Sequence, residues 1–457
     1  MTVRTRLLSS LALVAAAGLV LTGCSRPSQN ASPTPTVAPT GITVADCAAN
    51  STNSNTLKIG AILPLSGPSY LGGYAQLAAM NKAVADITKA GGISVATTET
   101  PTAPSLPVCI VPIDSGAGFD AAAAEAAGAD LAAKKVSVIL SALSTEATAA
   151  VLASNPGTPV LSLTSTLPIP VNDLFRIGPP SWAQAQALTQ TLIVDGNPKI
   201  ALVGPTNANT TATRLSIQSE FAEQKGLVLY GAIDTNPAPV TKPAPAATPK
   251  TPAEDVAAAI AAKPDAIVIV ASAETPEYLR ALLSQKWKMP DAYLIDTNVV
   301  DYSKTFTAGD LLAVQGTVPG QSPSEELATY VNNWSMVTRK VNIESVNFAA
   351  EAYDATVLAA LASVNLAHTQ PSYIGVSLLP VSGTYGGDLC YNFGDCAKAL
   401  TENKLIHYKG VSSMGPFTGA REISTTMISI YQYKADNTPV WTGLVSVRSV
   451  KEPKNTP

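Results

Sequence analysis

Histidine is nearly absent from this chain. His368 and His407 are the only two among 457 residues, and they lie far apart without a Cys or acid at ligand spacing, which speaks against a zinc site. Basic residues are outnumbered as well: 29 Lys and Arg face 33 Asp and Glu, a formal net charge of −4. The basic face that nucleic acid demands is therefore not expected. No Walker sequence, G-x-S-x-G elbow or zinc signature occurs, which removes three common catalytic plans. Beyond the first two dozen residues, no stretch offers the ~18 uncharged apolar residues that span a bilayer.

What is present begins with an export signal. Arg4 and Arg6 precede an apolar run from Leu7 to Leu21 that stops at Leu21-Thr22-Gly23-Cys24. That order of charge, apolar stretch and small residues is a secretory leader rather than a spanning helix. It resembles the lipobox of bacterial lipoproteins, which implies that residues 1–23 are removed and that Cys24 is acylated. The leader carries two bases and no acid, so the remaining chain is two charges more negative than the whole. Residues 24–56 are rich in Ser, Thr, Pro, Asn and Ala. They bury too little apolar surface to offset the entropy of ordering and read as a flexible linker.

Of five cysteines, four remain once Cys24 takes lipid: Cys47, Cys109, Cys390 and Cys396. An even remainder in an exported chain suggests two disulfides. Three pairings are open; the short interval from Cys390 to Cys396 favours that pair as a local loop, leaving Cys47 with Cys109. On chain-entropy grounds the two links contribute about 2 and about 4 kcal/mol, before strain.

From residue 57 onward strand-like and helix-like segments alternate, the pattern of a parallel sheet flanked by helices. The fold class is α/β, and ~400 residues exceed what one core supports, so two domains are expected. Strands are predicted at Leu57 to Leu63, Val108 to Ile113, Val136 to Leu140 and Pro159 to Leu163, with helices at Ala75 to Lys89, Asp120 to Lys135 and Thr145 to Ala153. After Arg176-Ile177-Gly178-Pro179-Pro180 a second cycle opens, with Ser181 and Gln184 as a capping box for a helix to Val194. Its strands are Lys199 to Val203, Leu227 to Ala232, Ala266 to Val270 and Ala292 to Ile295. Thr251-Pro252-Ala253-Glu254 reads as N-cap, N1 proline and box acid. Helices follow from about Ser324 to Thr338 and Ser345 to Ser363, and strands at Thr426 to Tyr433 and Leu444 to Val447 close the chain.

Ile59 to Pro68 with Ala90-Gly91-Gly92-Ile93, then Ser162 to Pro168, Arg176-Ile177, Ala352-Tyr353-Asp354-Ala355, the Cys390 to Cys396 insert and Gly410-Val411-Ser412 with Gly415-Pro416 recur in order. Together they resemble type I periplasmic binding proteins of the branched-chain amino-acid class, over roughly residues 57 to 448. The resemblance implies two doubly wound lobes joined by a hinge of three crossings: lobe one from 57–180 and 319–425, lobe two from 181–318 and 426–457. It implies a small polar ligand in the interlobe cleft, such as an amino acid or a related amide or carboxylate, and an ABC permease as partner. The expected protein is a monomer on the outer face of the cell membrane, without cofactor or metal.

In such folds ligands meet helix N-termini at the carboxyl ends of strands. Aligned with the family's ligand turns are Ser66 after the first strand, Ser144 and Thr145 after the third, and Thr164 and Thr166 after the fourth. N-cap chemistry alone also explains Ser and Thr at these places. In the second lobe the usual tyrosine gives way to Asn207-Ala208-Asn209-Thr210, with Asn209 as the candidate contact. Glu274 and Asp296 could hold a ligand ammonium, or could equally be capping or solvated acids. The departures put a branched-chain amino acid itself in doubt.

Two other readings remain. A receptor lipoprotein that senses rather than delivers its ligand would need the same fold. A NAD-type enzyme is suggested only by Gly116-Ala117-Gly118-Phe119-Asp120-Ala121, a loose G-x-G-x-x-[GA] match; the acid expected at the end of the next strand is missing, since that strand ends Leu140-Ser141-Ala142-Leu143. The anchor has a direct test. Cys24→Ser should move the processed protein from the membrane to the soluble fraction, because two acyl chains and not a protein segment hold it.

Overall fold

The computed structural model describes residues 44–47, 55–67, 70–94, 104–118, 120–165, 171–233, 250–271, 274–295, 300–320, 324–343 and 346–449, without the side chains of residues 208 and 209. By its contacts the chain divides into Met1–Thr40 and Gly41–Pro457; the second unit is described here. The leader, Cys24, Thr166 and Asp296 lie outside the described residues, as does the side chain of Asn209.

The first sheet is built from β1 (Leu57–Leu63), β2 (Val108–Asp114), β3 (Val138–Ser141), β4 (Val160–Ser162) and β5 (Leu174–Arg176), alternating with α1 (Tyr70–Lys89), α2 (Ala121–Ala133) and α3 (Thr145–Ser154). Its strands are all parallel, in the order β2-β1-β3-β4-β5. Central strands of such a sheet are covered on both faces, which is why β3 is buried throughout and β1 at every position but Lys58, rather than alternating.

The chain then leaves the first sheet through Gly178-Pro179-Pro180 and winds again. α4 (Ser181–Val194), β6 (Lys199–Val203), α5 (Ala208–Glu223), β7 (Leu227–Tyr230), α6 (Pro252–Ala261), β8 (Ala266–Ile269), α7 (Thr275–Ser284), β9 (Ala292–Leu294) and β10 (Gln315–Pro319) follow. The order β7-β6-β8-β9-β10 repeats the winding of the first sheet.

The chain returns through α8 (Glu325–Arg339), α9 (Ala349–Leu366), α10 (Pro371–Ser382), β11 (Asp388–Cys390), α11 (Phe393–Thr401) and β12 (Ile406–Tyr408), and ends with β13 (Thr425–Tyr433) and β14 (Pro439–Arg448). β13 and β14 add antiparallel to β10 and complete a seven-stranded sheet. α9 is buried from Ala349 to Val364 and packs in the same core as α1 and β1, the setting that makes a helix apolar all round.

Several expectations change. Ser181 and Gln184 form no capping box: Pro180 is the N-cap without a side-chain bond, Ser181 is already helical, and the buried Gln184 amide reaches the Thr317 carbonyl at 3.5 Å. β5 and β10 were not expected; with only three and five residues, including Arg176 and Gln315, they are set by neighbouring strands rather than by pattern. Thr251 and Glu254 do form a capping box. The linker is not slack throughout. Residues 44–47 lie against β2 through Cys47 N–H to the Ile110 carbonyl at 2.8 Å and Ile110 N–H to the Ala45 carbonyl at 2.8 Å. The Cys47–Cys109 disulfide, with Cα atoms 4.9 Å apart, fixes that contact, and Cys390–Cys396 closes the local loop.

Two buried charges organise the passages between the sheets. Arg176, 4 % exposed, forms an ion pair with Glu422, the residue leading into β13, and the Trp182 indole N–H donates to the same carboxylate at 3.4 Å. Asp354, fully buried in α9, accepts from Tyr408 Oη at 2.7 Å, from the N–H groups of Val411 at 3.0 Å and Ser412 at 2.7 Å, and from Ser412 Oγ at 2.5 Å. A Cβ at residue 410 would lie 2.0 Å from Asp354 Oδ1, so that place admits only Gly410. The separated sequence motifs Ala352 to Ala355 and Gly410 to Ser412 are thus one hydrogen-bonded unit. Removing the counter-charge of a buried arginine is costly, so Glu422→Gln should lower unfolding stability by about 3 kcal/mol in urea denaturation.

Candidate ligand cleft

In an open parallel sheet the crevice forms at the carboxyl ends of strands, where the winding reverses. In the first sheet that point lies between β1 and β3. The turn after β1 is tied to the turn after β2: Leu65 N–H donates to Asp114 Oδ1 at 2.9 Å and Gly116 N–H to the same oxygen at 2.8 Å. Burial alone would raise the Asp114 carboxyl, but the Ser66 hydroxyl and the N–H groups of Gly116, Leu65 and Ser66 outweigh it and hold its pKa below the ordinary value. Ser66 is exposed and engaged with this carboxylate.

The turns after β3 and β4 meet. Ser144 is the N-cap of α3, its Oγ accepting from Ala147 N–H at 3.2 Å. Thr164 Oγ1 donates to the Leu143 carbonyl at 2.8 Å, and Ser165 Oγ lies 3.3 Å from Thr145 Oγ1. Four hydroxyls from two turns are gathered at one edge, beside the free end of a ten-residue helix. No Lys or Arg occurs in segments 141–148 or 162–165. A cap oxygen that accepts from the backbone still has its own proton to donate, so Ser144 can face a ligand while it caps. The Thr164 proton is committed to the turn. Ser165, 2 % exposed, was not singled out from sequence; its place directly after Thr164 was the available signal.

On the second sheet, α5 starts at the corresponding turn with a capping box of Asn207 and Thr210. Behind it, Arg214 binds three carbonyls: Leu202 at 3.1 Å, Gly231 at 3.1 Å and Gly204 at 2.7 Å. Asp255 receives Gly204 N–H at 3.0 Å and Tyr230 Oη at 2.6 Å. Burial pulls the Arg214 pKa down, and burial together with Asp255 pushes Tyr278 up to about 12. This arginine fixes the ends of β6 and β7 rather than meeting a ligand, and its single charge in an otherwise neutral stretch of α5 was the only sequence clue. Glu274 stands at the N-cap of α7 but makes no cap bond, and it is exposed. The helix-capping reading of Glu274 is therefore removed.

The dinucleotide loop is occupied by the protein's own acids. Gly116 N–H is taken by Asp114, and the first N–H groups of α2, those of Ala122 and Ala123, are taken by Asp120 Oδ1 at 2.9 and 3.1 Å. A phosphate would have to displace both carboxylates.

A sequence model of the periplasmic binding protein family matches residues 56–372. The chain belongs to that family. Its members bind solutes outside the cytoplasm and are not enzymes. No individual curated protein sequence is significantly similar to this one. Among solved structures, the branched-chain amino acid transporter substrate binding protein LivJ from Streptococcus pneumoniae, in complex with isoleucine, is similar with a TM-score of 0.60 at 18 % identity, covering 86 % of this chain and 100 % of its own. A substrate-binding protein from Desulfitobacterium hafniense complexed with Leu reaches 0.59 at 15 % identity, covering 85 % of this chain and 100 % of its own. An R. palustris solute binding protein with 4-hydroxybenzoate reaches 0.60 at 14 % identity, covering 86 % of this chain and 97 % of its own. These likenesses establish the type I periplasmic binding protein fold. Among the described residues no helix of this binding protein is long and apolar enough to cross a membrane, and no group of three or more metal-ligating side chains occurs.

The turn bonds predict similar stability costs at the two turns. Thr164→Val should cost about 1 kcal/mol by loss of the bond to Leu143, and Ser144→Ala about 1 kcal/mol by loss of the α3 cap, both read from urea midpoints at constant slope.

Proposed function

We propose that this chain is the lipid-anchored, ligand-capturing component of an ABC importer, and that its ligand is a small molecule carrying a carboxylate. The observation that carries this reading is the pair of hydroxyls of Ser144 and Thr145 at the α3 N-terminus, braced by Thr164 and Ser165, with no cation in either turn. Aligned N–H groups and hydroxyl donors favour an anion there without an ion pair. Of isoleucine, leucine and 4-hydroxybenzoate, bound by the solved relatives, the two amino acids carry an ammonium that the benzoate lacks, and the carboxylate is the ionised group common to all three. Thr166 belongs to the same proposed anchor, with Ser66 at its rim.

Ligand docks first on these turns of the first lobe; the second lobe then swings in about the crossings and encloses it. Asn209, Glu274 and Asp296 are the second-lobe candidates, and either acid would meet an ammonium. The closed surface is what the permease reads, so empty and full forms are told apart by lobe geometry.

A thermal-shift screen of the exported domain against amino acids, aromatic carboxylates and neutral amides tests the ligand class, since a ligand of the folded state raises Tm by mass action. Carboxylates should shift Tm and their amides should not; hits confined to uncharged compounds would sink the reading. With a hit in hand, Ser144→Ala should weaken binding roughly tenfold by calorimetry, the worth of one charge-assisted hydrogen bond. Glu274→Gln then separates amino acids, which lose affinity, from simple acids, which do not.

A further inference from the structure

Tyr373, Val376, Tyr385, Leu389, Tyr391 and Leu405 are large side chains left in water, and all come from the stretch that forms α10, β11 and β12. Val376 is 65 %, Tyr385 64 % and Tyr391 61 % exposed. The elements turn them outward. α10 gives Ile374, Leu378 and Val381 to the core that it shares with Ile406 and Tyr408 of β12, which leaves Tyr373 and Val376, one turn apart, outside that core. On β11 the buried Cys390 stands between Leu389 and Tyr391, and strand alternation sends those two to the other side. Leu405 lies beside the start of β11, its carbonyl accepting Asp388 N–H at 2.9 Å. Of the four tyrosines among the exposed large apolar residues, three belong to this group.

Two contacts place this group at the edge of the first sheet where strands begin, opposite the turns of the cleft. A Cβ at Gly375 of α10 would lie 3.9 Å from Pro159, the residue before β4, and one at Gly394 of α11 would lie 3.5 Å from Ala90, which follows α1 on the way to β2. The strap of residues 44–47 points to the same edge. Asp46 pairs in parallel with Ile110 of β2, so Val44 lies toward the start of that strand. The Cys47–Cys109 disulfide fastens the strap there, and so does the fully buried Asn81 of α1, whose Oδ1 accepts from Ala45 N–H at 2.7 Å. Whatever holds the chain ahead of residue 44 therefore holds the molecule by this edge.

We propose that the apolar face of α10, β11 and β12 rests on the surface of the lipid bilayer, so that the first lobe stands on its strand-start edge with the cleft turned to solvent. The tether names the occupant, and in this the proposal rests on the anchored reading of Cys24. Residues 24–43, which join that cysteine to the strap, span at most about 70 Å at full stretch. The bilayer is thus kept close to this edge, and at such a local concentration a weak contact suffices. Tyrosine suits the boundary, because its ring enters the apolar layer while its hydroxyl stays in water. Residues 371–409 set Lys398, Lys404 and Lys409 against Asp388, Asp395 and Glu402, a balanced surface that matches zwitterionic headgroups and gains nothing from anionic ones. The molecule meets its ligand in this pose and leaves it to meet the permease.

The test uses the lipidated protein in phosphatidylcholine vesicles, with and without bromine on the acyl chains, since bromine quenches an indole that reaches the bilayer. Tyr385→Trp should lose more emission on bromination than wild type with its four native tryptophans. Val194→Trp, at an 84 % exposed site on α4 of the second lobe, should match wild type. Tyr391→Trp takes the place of Tyr385→Trp if the latter misfolds. Equal quenching at 385 and 194 overturns the docking. Flotation with the vesicles reads the anchor separately: a wild type that floats without added quenching at 385 removes the pose alone, and one that does not float removes the anchor and the pose together. Dimerisation of the processed Cys24→Ser form in solution, abolished by Leu389→Asp, would give the face to a second copy and equally overturn the proposal.

Discussion

Parallel strands cannot be joined by tight turns, and this one geometric constraint arranges the rest of the molecule. Each strand of the two wound sheets needs a crossover, so strand-to-helix turns collect along a single edge of each sheet. In the first sheet that edge gathers Ser66, Asp114, Ser144, Thr145, Thr164 and Ser165. In the second it gathers Asn207 and the backbone held by Arg214. The polar groups were not recruited one by one; the winding puts every such turn where a ligand would be enclosed. Because both sheets wind identically, the chain presents two similar polar rims from sequences that share little.

Two further buried charges serve the passages between the sheets. Arg176 and Glu422 tie the outward crossing to the start of β13, and Asp354 fastens the loop that precedes it. Each is satisfied by several partners, as buried charge requires. Two of the passages between the sheets are thus fastened by well-partnered buried charge.

Much of this was legible in the sequence, for identifiable reasons. The central strands announce themselves because both their faces are buried, and Thr251 with Glu254 is a local signal that needs no tertiary context. Ser181 misled because a proline before it took over the N-cap, leaving its hydroxyl inside the helix. β5 and β10 were hidden because such short segments owe their conformation to the strands beside them. At the cleft, hydroxyls at turns were visible as a pattern, but which of them are spent on the backbone was not: Thr164 serves Leu143, while Ser144 keeps a proton. Arg214 could not be assigned at all, since its meaning lies in carbonyls of two other strands' ends.

The hairpin of β13 and β14 covers the edge of β10, and it is supplied by residues 425–448, more than a hundred positions after the strand it protects. A chain that is made and exported from its N-terminus therefore presents β10 as a bare edge for a long interval, while the whole first sheet already has its strands. Unpaired edges recruit other strands. The order of emergence thus makes the second lobe the one exposed to wrong pairing during export, and makes the late hairpin the step that ends that exposure.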